Sequence, residues 1–185
     1  MYHTFSVDNA DSLEEIDRFQ LCSGEELYSY VAGDGTSTVL DIGSGTGFFT
    51  KEIAPHVADV FAIDIQQAMH QYHKKHRDDV TAELITATAT TIPLANDTIQ
   101  TAYSTMTYHE YATEESLREI QRVLQPGGQH VIIDWSADAP GDRGPPADER
   151  FSLNEAIAHH RDCGFEIGTA KNRYRTFLLV TNNKQ

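Results

Sequence analysis

The sequence predicts an α/β protein with a doubly wound, mostly parallel sheet and helices on both faces. Three observations predict it. From residue 38 onward, short apolar runs alternate with stretches of helical period or helix-start chemistry. The first run, Val39-Leu40-Asp41-Ile42, passes directly into Gly43-Ser44-Gly45-Thr46-Gly47 and Phe48-Phe49-Thr50, the order of a strand, a tight turn and a helix N-terminus. The second run, Asp59-Val60-Phe61-Ala62-Ile63-Asp64, closes on an acid 17 residues beyond Gly47.

The remaining elements follow in order. Residues 1–10 have no clear period and form an arm with a few apolar anchors. Ser12 with Glu15 and Ser23 with Glu26 are capping-box pairs, which predict short helices near 12–21 and 24–32, the second ended by Gly33-Asp34-Gly35. This leader, 1–36, either covers a site or packs on the sheet edge; residues 37–185 form the core of a single domain, 1–185. The first strand spans 38–42 and its helix 46–55; the second strand spans 59–64 and its helix 66–76. Strands follow at 81–86 and 99–105, separated by a loop that Pro93 stops. Residues 106–111 are a polar, aromatic loop, and a helix runs from Thr113 to Leu124. Pro126-Gly127-Gly128 turns the chain into a strand at 129–134. Residues 135–150, with three prolines and two glycines, form a long loop of the kind that is functional or mobile. Ser152 with Glu155 caps a last helix to Cys163, and strands near 165–170 and 174–181 close the chain.

Composition narrows the function. A chain of 185 residues is long enough to bury a real core. Two cysteines do not make a disulfide framework, and no basic-apolar leader or membrane-length apolar run occurs, so a cytoplasmic protein with free thiols is expected. A formal net charge of −14 with five lysines opposes nucleic acid and anionic membranes as partners and suggests adaptation to high salt. No motif fixes an oligomeric state.

The glycine turn carries the first chemistry. Glycine admits backbone conformations closed to other residues and lets the chain approach a ligand. The free amides of the next helix add a weakly positive rim, and Asp41 adds a fixed negative acceptor. Such a site suits a ligand with an ammonium and a carboxylate. A dinucleotide fingerprint, G-x-G-x-x-G, would need glycine where Phe48 stands. Asp64 is placed to accept from ribose hydroxyls, or to cap the helix at 66–76; Ile65 beside it can cover an adenine face. His70, His73 and His76 raise a metal ligand set. At about 100° per residue, however, the first and last lie far apart around a helix, and no cysteine or acid has matching spacing. A solvated basic face, extended by Lys74, Lys75 and Arg77, is expected and no metal.

The pattern D-x-G-x-G-x-G at 41–47 resembles motif I of the class I S-adenosylmethionine (SAM)-dependent methyltransferases. Arg122-Val123-Leu124-Gln125-Pro126-Gly127-Gly128 resembles the R-V-L-K-P-G-G turn of their ubiquinone/menaquinone-biosynthesis branch, Ile92-Pro93-Leu94 its L-P-F element, and Tyr108-His109-Glu110 its L-H-E element. The resemblance implies a seven-stranded sheet of order 3-2-1-4-5-7-6 with the last strand antiparallel. It implies that Asp41, Gly43, Ser44, Gly45 and Gly47 surround the methionine part of SAM. Asp64 would hold the ribose, Ile65, Thr88 and Ala89 would meet the adenine, and Ser104 and Thr105 would reach the methionine moiety through backbone groups. Thr88 and Gln100 stand where the family has acids.

Methyl transfer from a sulfonium is an in-line displacement, so the protein must align the acceptor, exclude water and remove a proton where the acceptor carries one. His109 is the candidate base, or else a loop histidine bonded to backbone. Glu110 orients His109 or faces solvent. Tyr108, Tyr111 and Trp135 form an apolar wall for the acceptor or pack in the core. Arg150 receives an anionic acceptor or pairs with a nearby acid. The expected acceptor is a small molecule, because the N-P-P-Y type of element found in amino-group DNA and protein methyltransferases is absent after the fourth strand. The alternative is a SAM-binding regulatory or scaffolding protein that transfers nothing.

Overall fold

The computed structural model describes residues 5–31, 33, 35–77 and 80–184. Residues 1–4 of the expected arm, and Ala32 and Asp34 at the expected end of the second leader helix, lie outside the described residues.

Seven strands form one sheet: β1 (Thr38–Ile42), β2 (Asp59–Asp64), β3 (Glu83–Thr86), β4 (Ile99–Thr105), β5 (Leu124–Trp135), β6 (Glu166–Asn172) and β7 (Thr176–Asn182). Their order is 3-2-1-4-5-7-6, with β7 antiparallel to both neighbours and the other pairs parallel. The expected architecture is therefore found in full. The helices are α1 (Gly24–Val31), α2 (Thr50–Ile53), α3 (Gln67–His76), α4 (Tyr108–Tyr111), α5 (Glu114–Val123) and α6 (Leu153–Asp162).

Alternation along the strands divides the core in two. Leu40 and Ile42 of β1, with Ile132 of β5 and Leu179 of β7, pack against Leu117 and Ile120 of α5 and Ala156 of α6. Val39, Val131, Ile133 and Leu178 point the other way, toward Leu27 and Val31 of α1 and Ile53 of α2. The central strands are buried on both faces, which is why they read as continuous apolar runs.

Two sequence motifs meet in space. The Arg122 guanidinium donates to the carbonyls of Ile92 and Leu94, each at 2.9 Å, while Glu119 accepts from Ile92 N at 2.7 Å. One ion pair, Arg122–Glu119 at 2.7 Å, thus clasps the Ile92-Pro93-Leu94 loop to α5. The Pro126-Gly127-Gly128 turn falls inside β5 as a bulge: Leu124 pairs with Ile99, but the next partner of β4, Thr101, meets Gln129.

Several elements differ from expectation. The 12–21 helix is replaced by two 3₁₀ segments, Val7–Glu14 and Ile16–Gln20, broken where Glu15 is extended. Ser12 forms no capping box; its hydroxyl donates to Asn9 O at 2.8 Å instead. The helix expected over 46–55 shrinks to α2 and a 3₁₀ turn at Ala54–His56, because residues 43–47 hold three positive-φ glycines and Pro55 ends the segment. The loop at 106–111 contains a helical turn, α4, described below. The Ser152–Glu155 capping box of α6 forms in both directions.

The basic face expected on α3 is solvated only in part: Lys74, Lys75 and His76, which stacks on Tyr72, are exposed, whereas His70, His73 and Arg77 are buried. His73 packs under Gly47, where a Cβ would collide with the imidazole, and Gly47 has a φ of +81°. Burial, with Arg77 and His70 nearby, pushes His73 down to about 4. Arg77 pairs with Glu14 of the leader and donates to Thr46 O. Among the described residues no three His, Cys, Asp or Glu side chains gather as for a metal ion. None of the described helices is long and apolar enough to cross a membrane.

A chain of buried polar groups joins α6 to the end of β4. The Ala156 carbonyl can only accept, so His160 Nδ1 donates to it at 2.8 Å. His160 Nε2 then accepts from His130 Nδ1 at 3.1 Å, His130 Nε2 from Tyr111 OH at 3.2 Å, and Tyr111 OH from Ser104 Oγ at 2.7 Å. Both imidazoles are neutral: burial lowers His160 to about 4 and His130 well below its ordinary value. The unfolded chain takes up these protons below about pH 6.5, whereas the native state refuses them until lower pH. Their contribution is thus complete at neutral pH and is lost as pH falls. Urea midpoints measured from pH 7 to 5 should show His160→Gln losing less stability over that interval than the wild type. Equal losses would show that these groups do not set it.

Candidate active site

A cavity of about 750 Å³ opens at the carboxyl ends of β1, β2, β4 and β5, with the leader as one wall. That is where an open α/β sheet places its ligands.

Its floor begins at the glycine turn. Gly43 has a φ of +69°, and a Cβ there would collide with Thr107, so the turn can lie against the β4 loop only as glycine. Asp64 fixes the turn from the neighbouring strand. Its Oδ2 accepts from Gly45 N at 2.9 Å and its Oδ1 from Gln66 N at 2.8 Å. The two roles weighed for Asp64 are therefore compatible: it caps the approach to α3 and still borders the cavity, each oxygen keeping acceptor capacity. Burial raises its carboxyl above the ordinary value, against these two amides. Ile65 is half-exposed on the same wall, with Thr88 and Ala89 across from the turn. The Thr88 hydroxyl bonds Thr90 Oγ1 at 2.9 Å.

Gly43, Ser44, Gly45, Asp64, Ile65, Thr88, Ala89 and Thr105 line the cavity together. Asp41, Gly47 and Ser104 stand behind its wall. Asp41 is fully buried, its Oδ2 accepting from Thr50 Oγ1 at 2.7 Å and Tyr103 OH at 3.0 Å. Burial pushes it up to about 7. Asp41 Oδ1, Ser44 Oγ and Thr46 Oγ1 are buried without a partner, three polar atoms left open around the turn. Gln100, in place of the family's acid, accepts from Thr38 N at 2.5 Å and has a structural role.

The second half of the cavity is built on β4 and β5. Asp134, wholly buried at the end of β5, accepts from His109 N at 2.7 Å and so caps α4 from outside the segment. It also holds His109 Nδ1 at 3.0 Å from both carboxylate oxygens. The imidazole Nε2 is thereby left to the cavity that His109 borders. Burial works against the imidazolium, but Asp134, then Glu110 and Glu149, outweigh it and hold His109 above its ordinary value. Glu110 also borders the cavity, and burial raises it to about 7. It does not orient His109; Asp134 does. Met106, which precedes this turn, has a φ of +55°, a strained conformation at the cavity edge.

Two expected acceptor contacts are corrected. Tyr108 is core: it packs edge-on against Phe177 and Phe151, and its hydroxyl meets His159 Nδ1 at 3.0 Å. Tyr111 takes the wall position instead. Arg150 does not line the cavity. It is buried over Trp135 and donates to the carbonyls of Pro145 and Arg143, stapling the loop shut on itself. Trp135 does line the cavity, and Gly144 lies so close to its ring that a Cβ there would clash.

Arg18 of the leader was not foreseen. Its guanidinium lies 5.4 Å from the ring centres of both Phe48 and Phe49, donates to Leu13 O at 3.2 Å, and faces the cavity. Burial lowers it to about 10, against the attraction of Glu14, Asp17 and Asp41. A helix-cap signal over 12–21 does not reveal which of its side chains will meet a cavity built by distant strands.

A sheet of this order, a glycine turn gripped by the acid of the next strand and a cavity at the switch of strand order define a nucleoside-binding fold of the class I methyltransferase type. Residues 40–132 match the methyltransferase-domain family, and the chain belongs to that family of SAM-dependent methyltransferases. A crystal structure of a SAM-dependent methyltransferase from Aquifex aeolicus superposes with a TM-score of 0.89 at 27% identity, covering 97% of this chain and 100% of that one. A methyltransferase-like protein of Schizosaccharomyces pombe is 30% identical over 134 residues, 72% of this chain and 51% of that one. The biotin biosynthesis bifunctional protein BioHC of Cellvibrio japonicus is 31% identical over 125 residues, 66% of this chain and 25% of that one. The chain thus spans about half and about a quarter of the length of these two curated relatives.

If Asp134 sets the state of His109, then Asp134→Asn should lower the His109 pKa, followed through its ring protons by NMR titration. An unmoved titration would remove Asp134 from that role.

Proposed function

We propose that this chain is one domain, a core at 37–185 with the leader 1–36 as cover, that transfers a methyl group from SAM to a small-molecule acceptor. The observation that carries the reading is the Asp64 carboxylate, locked by two backbone amides at the cavity edge beside the glycine turn. The donor set fits the cofactor: Asp64 for the ribose hydroxyls, Ile65 and Ala89 for the adenine faces, and Thr88 for its edge. The glycine turn and the Thr105 backbone take the methionine part. Arg18 suits the carboxylate at that end, since it borders the cavity beside Phe48 and Phe49 with no ion-pair partner within bonding distance among the described residues.

SAM supplies an electrophilic methyl group on a sulfonium. The protein's own work is alignment, water exclusion and proton removal. His109 Nε2 accepts the acceptor's proton, and Asp134 holds the ring in the tautomer that makes Nε2 the base and stabilises the imidazolium that forms. Trp135, Tyr111 and the Gly144-Pro145-Pro146 segment supply the apolar wall. A net charge of −14 supports a small acceptor over a nucleic acid.

Calorimetry should find SAM and S-adenosylhomocysteine bound with Kd on the order of micromolar. Asp64→Ala and Arg18→Ala should each weaken binding by about tenfold or more while thermal melts show both variants folded. Folded wild-type protein that binds neither compound would overturn the proposal.

A further inference from the structure

The half of the cavity around His109 has a sign. His109 Nε2 is offered to the cavity from a side chain only 8% exposed, with Nδ1 committed to Asp134. Three carboxylates act on that ring: Asp134 in contact, and Glu110 and Glu149 through space. Glu110 and Glu149 both border the cavity, and neither has a side-chain ion-pair partner among the described residues. The two guanidiniums on the cavity wall are placed otherwise. Arg143 is held by Asp17 at 2.8 Å, and Arg18 lies against Phe48 and Phe49. Trp135, covered by Arg150 and packed against Gly144, borders the same cavity.

We propose, resting on the methyltransferase reading above, that the acceptor is a small amine on an apolar or aromatic body, its nitrogen delivered to His109 Nε2 between Glu110 and Glu149. An anionic acceptor would place its charge beside Asp134 and Glu149 and hold Glu110, which burial raises to about 7, in its neutral form, and an alcohol would develop negative charge there as its proton left. An amine does the reverse. Its ammonium gives one proton to neutral His109, and the freed lone pair forms the new C–N bond as the C–S bond breaks and its electron pair returns to sulfur. Positive charge moves onto nitrogen during the displacement, where fixed carboxylates stabilise it. The apolar body rests against Tyr111 and the Gly144-Pro145-Pro146 segment, which border the same cavity.

The test uses three probes of matched shape, phenethylamine, 2-phenylethanol and 3-phenylpropanoate, titrated calorimetrically into protein saturated with S-adenosylhomocysteine. Phenethylamine should bind at least about tenfold more tightly than either of the others. Glu149→Gln and Glu110→Gln should each erase most of that preference while leaving S-adenosylhomocysteine bound. The inference is overturned if the alcohol or the acid binds as well as the amine, if no probe binds, or if both glutamine variants keep the preference. Failure of S-adenosylhomocysteine itself to bind is a different result, since it overturns the cofactor reading beneath.

Discussion

The Asp64 carboxylate holds the first two strand-to-helix loops in one frame. Its two oxygens accept from Gly45 N and Gln66 N, amides that belong to different loops and that no strand ladder could satisfy. Around that anchor the glycine turn takes its left-handed path, pressed against Thr107 on one side and His73 on the other. Asp41 supports the same turn from beneath by joining β1 to α2 through Thr50 and to β4 through Tyr103. The half of the cavity around the glycine turn is therefore built from backbone conformation, and side chains serve to hold it.

The half of the cavity around His109 is organised differently. Here one carboxylate, Asp134, performs two tasks at the end of β5, capping the short helix that carries His109 and fixing the His109 ring. The side-chain caps of α5 and α6 lie within three residues of the amides they hold, whereas this pair spans 25 residues of sequence and unites the ends of two neighbouring strands. The loop that roofs it is closed by its own contacts, through Arg150 and its carbonyls.

What the sequence reveals follows the range of the forces involved. The strands 38–42, 59–64 and 99–105 match the structure because apolar runs between turns are local signals. The capping box of α6 is equally local. The glycine turn is legible because only glycine meets its backbone demands. The choice between Tyr108 and Tyr111 is not, since the phase of α4 decides which ring faces the cavity and a carboxylate far along the chain sets that phase. Arg150 looks like an exposed charge because nothing in sequence shows that it will fold back on its own loop. The helix expected at 12–21 yields to 3₁₀ segments that follow the cavity wall, a tertiary demand that a cap signal does not contain.

The leader is tied to the core at well-separated points: Glu14 to Arg77, Asp17 to Arg143, and Glu26, at the start of α1, to Arg173. Next to these ties it contributes Leu13 and Arg18 to the cavity wall. A ligand that touches Leu13 or Arg18 while filling the cavity would, by linkage, raise the free energy of peeling the leader away. Each tie is a partly exposed ion pair, so dissolved ions would act on that equilibrium from outside. Ligand residence time and ionic strength would then be coupled through a segment whose described residues lie outside the seven strands.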